Sequence, residues 1–382
     1  MVTLLGTNII SSLGFSSQEN YQSVKAGKIG LKQYEKAFDV PEPIVASLLD
    51  EEKLDAEFYY LPHSNKIPYT KLEKSAILSV YYAISHAGID PSGDDVLFIF
   101  STTKGNIELL EKNELYESER IYLWRSAQLI SNYFGNKNPP LVVSNACISG
   151  VAAQIAAARC LSARRAKYVV VIGAEVLSKF IISGFQSFKA LSNQVCKPFD
   201  KNRTGLNLGE AAATIIYTID DENVSQDAVF YEHGAICNDA NHISGPSRTG
   251  DGLFDAIAKV LKNKDINDIR FINAHGTATP YNDEMEAVAI SRYGLENVPV
   301  NSLKGYFGHT LGAAGIVETI ISAYALQDNI ILKSHGFNDL GVTPITINTE
   351  VTTSSKPACL KLISGFGGCN AAIILRKSVT NL

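Results

Sequence analysis

Paired cysteines, a strong excess of basic residues and long apolar runs are all missing from this sequence of 382 residues. Its six cysteines include no CxxC pair, the usual spacing for zinc or iron–sulfur ligation, so we predict free thiols in a reducing compartment and no bound metal. The net charge of -5 argues against nucleic acid as a partner. No apolar run reaches the length of a membrane span.

The first 14 residues are apolar but carry neither the basic start nor the small-residue cleavage site of a secretory signal. We therefore expect a first strand there and a cytoplasmic protein. Hydrophobic residues make up 46% of the chain and charged residues 19%, so neither disorder nor a fibrous repeat is indicated. A chain of this length can bury a large core, which is compatible with an enzyme.

Apolar runs rich in β-branched residues alternate with helical spacing, which predicts an α/β fold with parallel strands crossed by helices. Strands are predicted over residues 95–100, 140–144, 168–173, 211–218, 268–274 and 360–364. Helices are predicted over residues 72–87, 147–162, 252–262 and 311–326.

Two stretches follow one plan, although their residue identity is too low to establish a duplication. In each, a short motif (residues 145–150 or 308–315) opens a helix rich in Ala and Gly, and two further strands follow. Helices that are small and apolar all round suit a position between two sheets. We predict five layers, αβαβα, built from two pseudo-duplicated halves, 1–222 and 223–382, that meet in a polar stretch at 220–226.

Cys147 follows one predicted strand and stands at the first turn of a predicted helix. Unpaired backbone N–H groups and the helix dipole favour a thiolate at such a place, so the position predicts a nucleophile with a lowered pKa. A packed structural cysteine is the alternative, because free cysteines are commonly buried as small apolar residues.

Two histidines stand at comparable element ends. His275 follows the strand predicted at 268–274, and Gly276 allows a sharp turn after it. His309 precedes the second Ala-rich helix as Cys147 precedes the first. Each histidine alone could be a structural residue, but with Cys147 they supply what acyl transfer to sulfur and subsequent proton handling require.

Four ordered motifs resemble those of the elongating beta-ketoacyl-[acyl-carrier-protein] synthases, members of the thiolase superfamily. They are Ala-Cys-x-Ser-Gly at Cys147, His-Gly-Thr-x-Thr-Pro at His275, Lys-x-x-x-Gly-His-x-x-Gly-Ala-Ala-Gly from Lys304, and Gly-Phe-Gly-Gly-Cys-Asn at 365–370. The resemblance runs almost end to end. It implies a thiolase fold and a decarboxylative condensation of an acyl group with malonyl-[acyl-carrier-protein], giving a 3-oxoacyl-[acyl-carrier-protein].

The resemblance also implies roles for individual residues. Cys147 would take the acyl chain from carrier-protein phosphopantetheine, and His275 and His309 would assist decarboxylation of the malonyl group. Lys304 would pair with Glu286 to hold the histidines in place. No bound cofactor is implied, since phosphopantetheine arrives on the carrier protein.

A second set of residues is implied to contact the substrate. The backbone N–H groups of Cys147 and Phe366 would form the oxyanion hole, beside glycines that permit close approach. The remaining contacts are Thr277 and Thr279 on the pantetheine arm, Phe185 in the acyl pocket, and Gly367 and Gly368 beside the oxyanion hole.

The sequence departs from the family pattern in two segments that shape the acyl pocket and the dimer contact. Residues 101–138 and 192–197 are short relative to common fatty-acid elongating members. The natural acyl chain is therefore left open, and specialised polyene or polyketide synthesis is favoured over fatty-acid synthesis.

Two other functions stay open. A thiolase acting on coenzyme A thioesters also uses two cysteines, and Cys369 stands where Thr is common in the synthases. His309 in its motif disfavours both the thiolases and the initiating synthases, although Asn370 could mimic the asparagine of the latter. A non-catalytic chain-length-factor partner is the other alternative, and it is disfavoured because Cys147 and both histidines are retained.

The implied partners are an acidic acyl carrier protein and a second synthase subunit, as a homodimer or a heterodimer. A chain of net negative charge can attract an acidic partner only through a local basic surface. The candidate docking residues are Lys66, Lys71, Lys74 and Lys189. Lys71 and Lys74 are three apart at the start of a predicted helix, so they should share a face.

Overall fold

The computed structural model describes residues 1–62, 67–111, 115–219, 227–243 and 245–378. Its strands are β1 Val2–Ser11, β2 Lys32–Tyr34, β3 Ile44–Ser47, β4 Val96–Ser101, β5 Leu141–Val143, β6 Tyr168–Glu175, β7 Leu208–Gly209, β8 Ala211–Thr218, β9 Val229–Asn238, β10 Ile269–Asn273, β11 Val300–Asn301, β12 Ile330–Ile331, β13 Thr352–Thr353, β14 Ala358–Gly365 and β15 Cys369–Lys377. Its helices are α1 Ser17–Lys25, α2 Glu51–Tyr59, α3 Lys71–Ala87, α4 Leu123–Tyr133, α5 Ser149–Ser162, α6 Lys179–Ser187, α7 Asp251–Val260, α8 Pro280–Arg292, α9 Lys304–Phe307 and α10 Leu311–Gln327. Every strand and helix named from the sequence is present, with each end within about two residues of its expected place.

The main sheet has ten strands, and its order repeats itself. Read from an outer edge of the sheet to its centre, the strand order is β5-β4-β6-β8-β1 in the first half and β11-β10-β14-β15-β9 in the second. In both halves the outer three strands are parallel and the inner pairs are antiparallel. The halves join where β1 pairs with β9. This identical order confirms the two pseudo-duplicated halves that residue identity alone could not establish.

The helices form three layers around the two halves of the sheet. The central helices α5 and α10 contact each other and strands of both halves. On the outer faces, α3 packs on the first half and α7 on the second, with α8 beside α7. Separate apolar clusters fill the centre and each outer face. The predicted αβαβα layering is confirmed.

The central helices are apolar nearly all round because both of their sides are covered. All residues of α10 except Tyr324 and Gln327 are buried. By contrast, α3 has one buried face and defined ends. Thr70 and Glu73 form a capping box at its start, and Gly88 ends it in a left-handed conformation with φ 65°.

Gly150 of α5 and Gly315 of α10 let these two helices approach closely. A Cβ on Gly150 would lie 2.9 Å from the Gly312 carbonyl oxygen and 3.2 Å from Gly315 Cα, and both are backbone atoms that cannot move aside alone.

We expect Gly150→Ala to lower the free energy of unfolding by about 1–3 kcal/mol, measured by thermal or denaturant unfolding. Gly184→Ala in α6 is the matched control, because nothing lies within 4 Å of its added Cβ. It should be neutral or stabilising by up to about 1 kcal/mol. Equal free energies of unfolding for the two variants would show that α5 and α10 can move apart without loss of stability.

The boundary expected at residues 220–226 lies outside the described residues, so the division into 1–222 and 223–382 stays a prediction. The first strand expected near the N-terminus is present as β1. Within the described ranges, no helix combines the length and the apolar character needed to cross a membrane.

Candidate active site

Cys147 lies in a tight turn between β5 and α5. The preceding residue, Ala146, has φ 44°, a left-handed conformation that non-glycine residues adopt only where the surrounding structure fixes it. The Ser149 hydroxyl fixes the turn, since it accepts a hydrogen bond from Asn145 N (2.7 Å) and donates one to the Ala146 carbonyl (2.6 Å). Cys147 itself is 7% exposed. The helix begins at Ser149, two residues later than the sequence predicts, so Cys147 stands just before the helix.

His275 follows β10, and carboxylates of α8 hold the loop after it. Glu286 accepts hydrogen bonds from the backbone N–H groups of His275 and Gly276, each at 2.7 Å. Asp283 accepts from Thr277 N at 3.0 Å and from Ala278 N at 3.1 Å. Burial raises the pKa of Glu286 to about 7, and Asp283 adds to that rise while the two backbone donors oppose it. Glu286 therefore positions His275 through the backbone.

His309 follows Gly308, which adopts φ 68°. Its backbone N–H donates to the Asn207 carbonyl at 2.7 Å. Its ring Nδ1 accepts a hydrogen bond from Leu311 N at 3.3 Å, so in the neutral ring the proton is on Nε2. That Nε2 is buried and has no hydrogen-bond partner among the described residues. The fold thus leaves a free N–H donor inside the site.

The three residues meet although they come from separate elements. The two imidazole rings are perpendicular, with centroids 5.0 Å apart. One ring nitrogen of each histidine and the Cys147 sulfur all lie within 4.8 Å of one another. Within the described part of the chain, this is the one group of three His, Cys, Asp or Glu residues close enough to hold a metal ion. The same spacing suits proton transfer between a thiol and two imidazoles.

Burial sets the charge state of all three groups. It is the main cause that lowers the pKa of His275 and His309 well below the usual value, and nearby Lys304 lowers both further. Both rings are therefore neutral near pH 7. Burial, with a smaller effect of Cys369, raises the pKa of the Cys147 thiol to about 12. The lowered pKa predicted from the helix N-terminus is thus wrong, because removal from water outweighs the lowering effects of Lys304 and of the Phe366 backbone donor.

Lys304 has a different partner from the one expected. Its ammonium pairs with Glu318 of α10, and Glu318 also lies 2.7 Å from the Lys361 ammonium. The expected pairing of Lys304 with Glu286 is wrong, because Glu286 is engaged by the His275 and Gly276 backbone. All three members of the Lys304–Glu318–Lys361 cluster are buried.

The Gly-rich turn between β14 and β15 lies against Cys147. A Cβ on Gly365 would lie 3.1 Å from Cys147 N and 3.0 Å from Cys369 Sγ. The backbone N–H of Phe366 bonds to the Cys147 sulfur and is one of the influences that hold down the pKa of Cys147. The residues expected to form the oxyanion hole are therefore brought together, with Gly367 and Gly368 at φ 83° and 72°.

A cavity of about 500 Å³ leads to Cys147 and both histidines. Phe366 stacks on Phe185 with centroids 5.8 Å apart and meets Phe188 edge-on at 5.3 Å. The hydroxyls of Thr277 and Thr279, 2.9 Å apart, also line the cavity. All substrate-contact residues expected from the sequence lie on this cavity. Phe188 was not expected, since nothing in its local sequence distinguishes it from a packing residue.

The candidate docking lysines differ from one another. Lys71 pairs with buried Glu210 at 2.7 Å and with Glu51 at 2.8 Å, and Lys74 pairs with Asp55 at 2.7 Å. The basic face expected from their spacing is therefore neutralised by acidic residues. Lys189 is exposed and lines the mouth of the cavity. The fourth candidate, Lys66, lies outside the described residues.

Two family models match the chain: Beta-ketoacyl synthase, N-terminal domain, over residues 4–220, and Beta-ketoacyl synthase, C-terminal domain, over residues 228–338. The chain is 32% identical over 259 residues to 3-oxoacyl-[acyl-carrier-protein] synthase 2 of Rhizobium meliloti, which covers 63% of this chain and 61% of that relative. It is 26% identical over 411 residues to 3-oxoacyl-[acyl-carrier-protein] synthase 2 of Coxiella burnetii, with 98% of each chain covered. The chain thus spans about three fifths of the first relative in that match and nearly all of the second.

Solved structures with the same fold include a ketosynthase (ApeO) in complex with its chain length factor (ApeC) from Xenorhabdus doucetiae. The TM-score is 0.88 at 22% identity, with 98% of both chains covered. A beta-ketoacyl synthase from Burkholderia phymatum gives a TM-score of 0.87 at 23% identity, covering 98% of this chain and 99% of that one. These likenesses confirm the predicted thiolase fold.

Proposed function

Because the chain belongs to the beta-ketoacyl synthase family, we propose that it condenses an acyl group held on Cys147 with malonyl-[acyl-carrier-protein]. The reaction releases CO₂ and gives a 3-oxoacyl-[acyl-carrier-protein]. The observation that supports this most is the meeting of Cys147, His275 and His309 within 4.8 Å at the end of one cavity. The two relatives described above are each named 3-oxoacyl-[acyl-carrier-protein] synthase 2.

In the first half-reaction, the Cys147 sulfur attacks the carbonyl carbon of the incoming thioester. Its proton must leave as the bond forms, since burial disfavours a free thiolate at this position. His275 is the acceptor we propose, because the proton on His309 Nε2 makes that nitrogen a donor. The negative oxygen forms hydrogen bonds with the backbone N–H groups of Cys147 and Phe366. As the carbonyl re-forms, the bond to the phosphopantetheine sulfur breaks, and that sulfur takes the proton from His275 and leaves as a thiol.

In the second half-reaction, the bond between the malonyl carboxylate and its neighbouring carbon breaks. CO₂ leaves, and the electron pair forms an enolate whose oxygen accepts a hydrogen bond from His309 Nε2. The enolate carbon then attacks the acyl thioester, and the Cys147 sulfur leaves as a thiolate and takes a proton from water. Neutral imidazoles suit this step, because their N–H groups donate hydrogen bonds to the enolate oxygen but are too weakly acidic to protonate it.

The substrate arm needs no resident cofactor, since we propose that the phosphopantetheine of an acyl carrier protein enters the cavity past Thr277 and Thr279. Two solved structures of the same fold are ketosynthases with a chain length factor, and a third is a ketosynthase with its acyl-carrier protein. We extend both kinds of partner to this chain, with a homodimer as the alternative to the heterodimer.

We propose specialised polyene or polyketide synthesis rather than fatty-acid synthesis as the setting. The support is the shortening of residues 101–138 and 192–197, and a match of 24% identity across 98% of this chain to a putative polyketide beta-ketoacyl synthase of Streptomyces halstedii. Assays with carrier proteins bearing saturated or conjugated acyl groups of equal length separate the two settings. Preference for the saturated series would contradict this part of the proposal.

The condensation itself is tested by incubating the protein with acyl-[acyl-carrier-protein] and malonyl-[acyl-carrier-protein] and measuring the mass of the carrier protein. The expected product is the 3-oxoacyl species. Turnover of coenzyme A thioesters without any carrier protein would support a thiolase, whose second cysteine could be Cys369 beside Gly365. Failure to acylate Cys147 with any donor would support a non-catalytic pairing subunit.

We propose Lys189 as a carrier-protein contact, because it is exposed at the mouth of the cavity while Lys71 and Lys74 are paired. Lys189→Glu is expected to raise KM for the carrier-bound substrate about 3- to 10-fold at low salt, with a smaller effect at high salt. Lys262→Glu, an exposed change that lies off the cavity, is the control. A KM that does not differ between these variants across a salt series would exclude Lys189 as a docking residue.

A further inference from the structure

Lys361 is a buried lysine to which the condensation as described assigns no part. It lies on β14 with 0% exposure. Its ammonium is 2.7 Å from the Glu318 carboxylate and donates to the Leu362 carbonyl at 2.6 Å. Because Lys304 contacts the other oxygen of the same carboxylate, two ammonium groups share one negative charge. The cluster therefore holds an excess of positive charge inside the protein.

Such a cluster is costly to bury. Removal from water disfavours each charge, and a single carboxylate cannot balance two ammonium groups. Burial is the main cause that lowers the pKa of Lys361, with Lys304 adding to the effect and Glu318 and, to a smaller extent, Glu286 opposing it. A hydrophobic residue at this position would avoid the cost, so the lysine calls for a reason beyond packing.

The positive charge acts on the two catalytic histidines. Lys304 and Lys361 both lower the pKa of His275 and of His309, after burial. The charged and titratable groups around the rings come from several elements: Lys304 from α9, Lys361 from β14, Glu318 from α10, Glu286 from α8 and Cys147 from the turn before α5. Glu286 is occupied by backbone donors, so Glu318 is the carboxylate that organises the lysines.

We propose that Lys361 is a positioning residue for the decarboxylation step: it fixes Glu318 against Lys304 and supplies the excess positive charge behind His275 and His309. This inference rests on the proposed function. After burial, this charge further lowers the pKa of both rings and so favours their neutral form. It also stabilises the negative charge that develops on the enolate oxygen. Acyl loading of Cys147 depends less on it, since the oxyanion there is held by backbone N–H groups.

The test compares Lys361→Met, which removes the charge, with Lys361→Arg, which retains it. CO₂ release from malonyl-[acyl-carrier-protein] should fall about 10-fold or more in Lys361→Met, while the initial rate of Cys147 acylation changes less than about 3-fold. Lys361→Arg should recover most of the decarboxylation. With less positive charge nearby, the histidines of Lys361→Met should protonate at higher pH, so its CO₂ release should decline earlier than that of the parent as pH falls.

Arg120→Met is the matched control for lost stability, because Arg120 is a buried cation paired with buried Glu73 at 2.8 Å in the first half. It should lower the melting temperature without changing the ratio of the two half-reaction rates. Lys361→Met with an unchanged ratio and pH profile would overturn the proposal. If Lys361→Met does not fold, a parent-like ratio and profile in Lys361→Gln would overturn it instead. A parent protein that neither acylates Cys147 nor releases CO₂ would refute the proposed function itself.

Discussion

Cys147→Ala is expected to lose acyl loading and condensation completely, to the detection limit of intact-protein mass spectrometry. The turn at Ala146 and the hydrogen bonds of Ser149 aim this one thiol into the site, where two imidazoles surround it. No replacement nucleophile is available at the alanine side chain, so the reaction loses its covalent intermediate rather than a fraction of its rate.

Two cysteine variants serve as controls for this result. Cys160→Ala alters a buried cysteine of α5, the helix that follows Cys147, so it should load the acyl group at close to the parent rate. Cys369→Ala should also load, since Cys369 lies beside the Gly365 turn and we assign it no covalent role. Acylation that persists in Cys147→Ala but is lost in Cys369→Ala would move the nucleophile to Cys369.

His309→Ala and His275→Ala are expected to divide the two half-reactions differently. His309→Ala should release CO₂ about 10²–10³ times more slowly, because it removes a hydrogen-bond donor from the developing enolate. It should keep most acyl loading, since His309 Nε2 already carries its proton and does not accept the one from Cys147. His275→Ala should slow both half-reactions, because we assign to His275 the acceptance of the thiol proton and, beside the ring of His309, a second hydrogen bond to the enolate oxygen.

The measurements are pre-steady-state acylation followed by mass, and CO₂ release from malonyl-[acyl-carrier-protein] alone. His233→Ala, an exposed change on β9, is the control and should leave both rates unchanged. Equal loss of loading in the two catalytic variants would contradict the tautomer assigned to His309. Parent-like decarboxylation in either variant would exclude that histidine from the decarboxylation step.

The fold could be predicted from the sequence because its signals are local. Apolar spacing located the strands and helices, and the Ala- and Gly-rich helices α5 and α10 indicated burial on both sides. The repeated order of strands in the sheet could not be predicted, because strand neighbours depend on contacts between residues far apart in sequence. Two sequences can diverge to low identity while keeping the same alternation of apolar segments.

The residues that form the site could be predicted from the sequence, but their ion pairs and pKa shifts could not. Cys147, His275 and His309 stand out because each ends an element beside a Gly-containing motif. Which carboxylate pairs with Lys304 depends on where α8 and α10 pack, and local spacing does not distinguish Glu286 from Glu318. The pKa of Cys147 was mispredicted because the helix N-terminus is visible in sequence whereas the burial of the thiol is not.

Surface charges show the same limit. Lys71 and Lys74 share the start of α3, as spacing predicts, but the neighbouring helix α2 supplies Glu51 and Asp55 as their partners. Glu210, distant in sequence, also pairs with Lys71. Helical periodicity identifies which residues lie on one face, but it does not identify what covers that face.

The most direct measurement is peptide mapping of the protein by mass spectrometry after a single mixing with acyl-[acyl-carrier-protein], followed by addition of malonyl-[acyl-carrier-protein]. The acyl mass should appear on the peptide containing Cys147 and disappear when the malonyl donor is added, with stoichiometric CO₂ and a 3-oxoacyl carrier protein as products. An acyl group that never appears on Cys147, or that stays there while CO₂ is released, would contradict condensation through this cysteine.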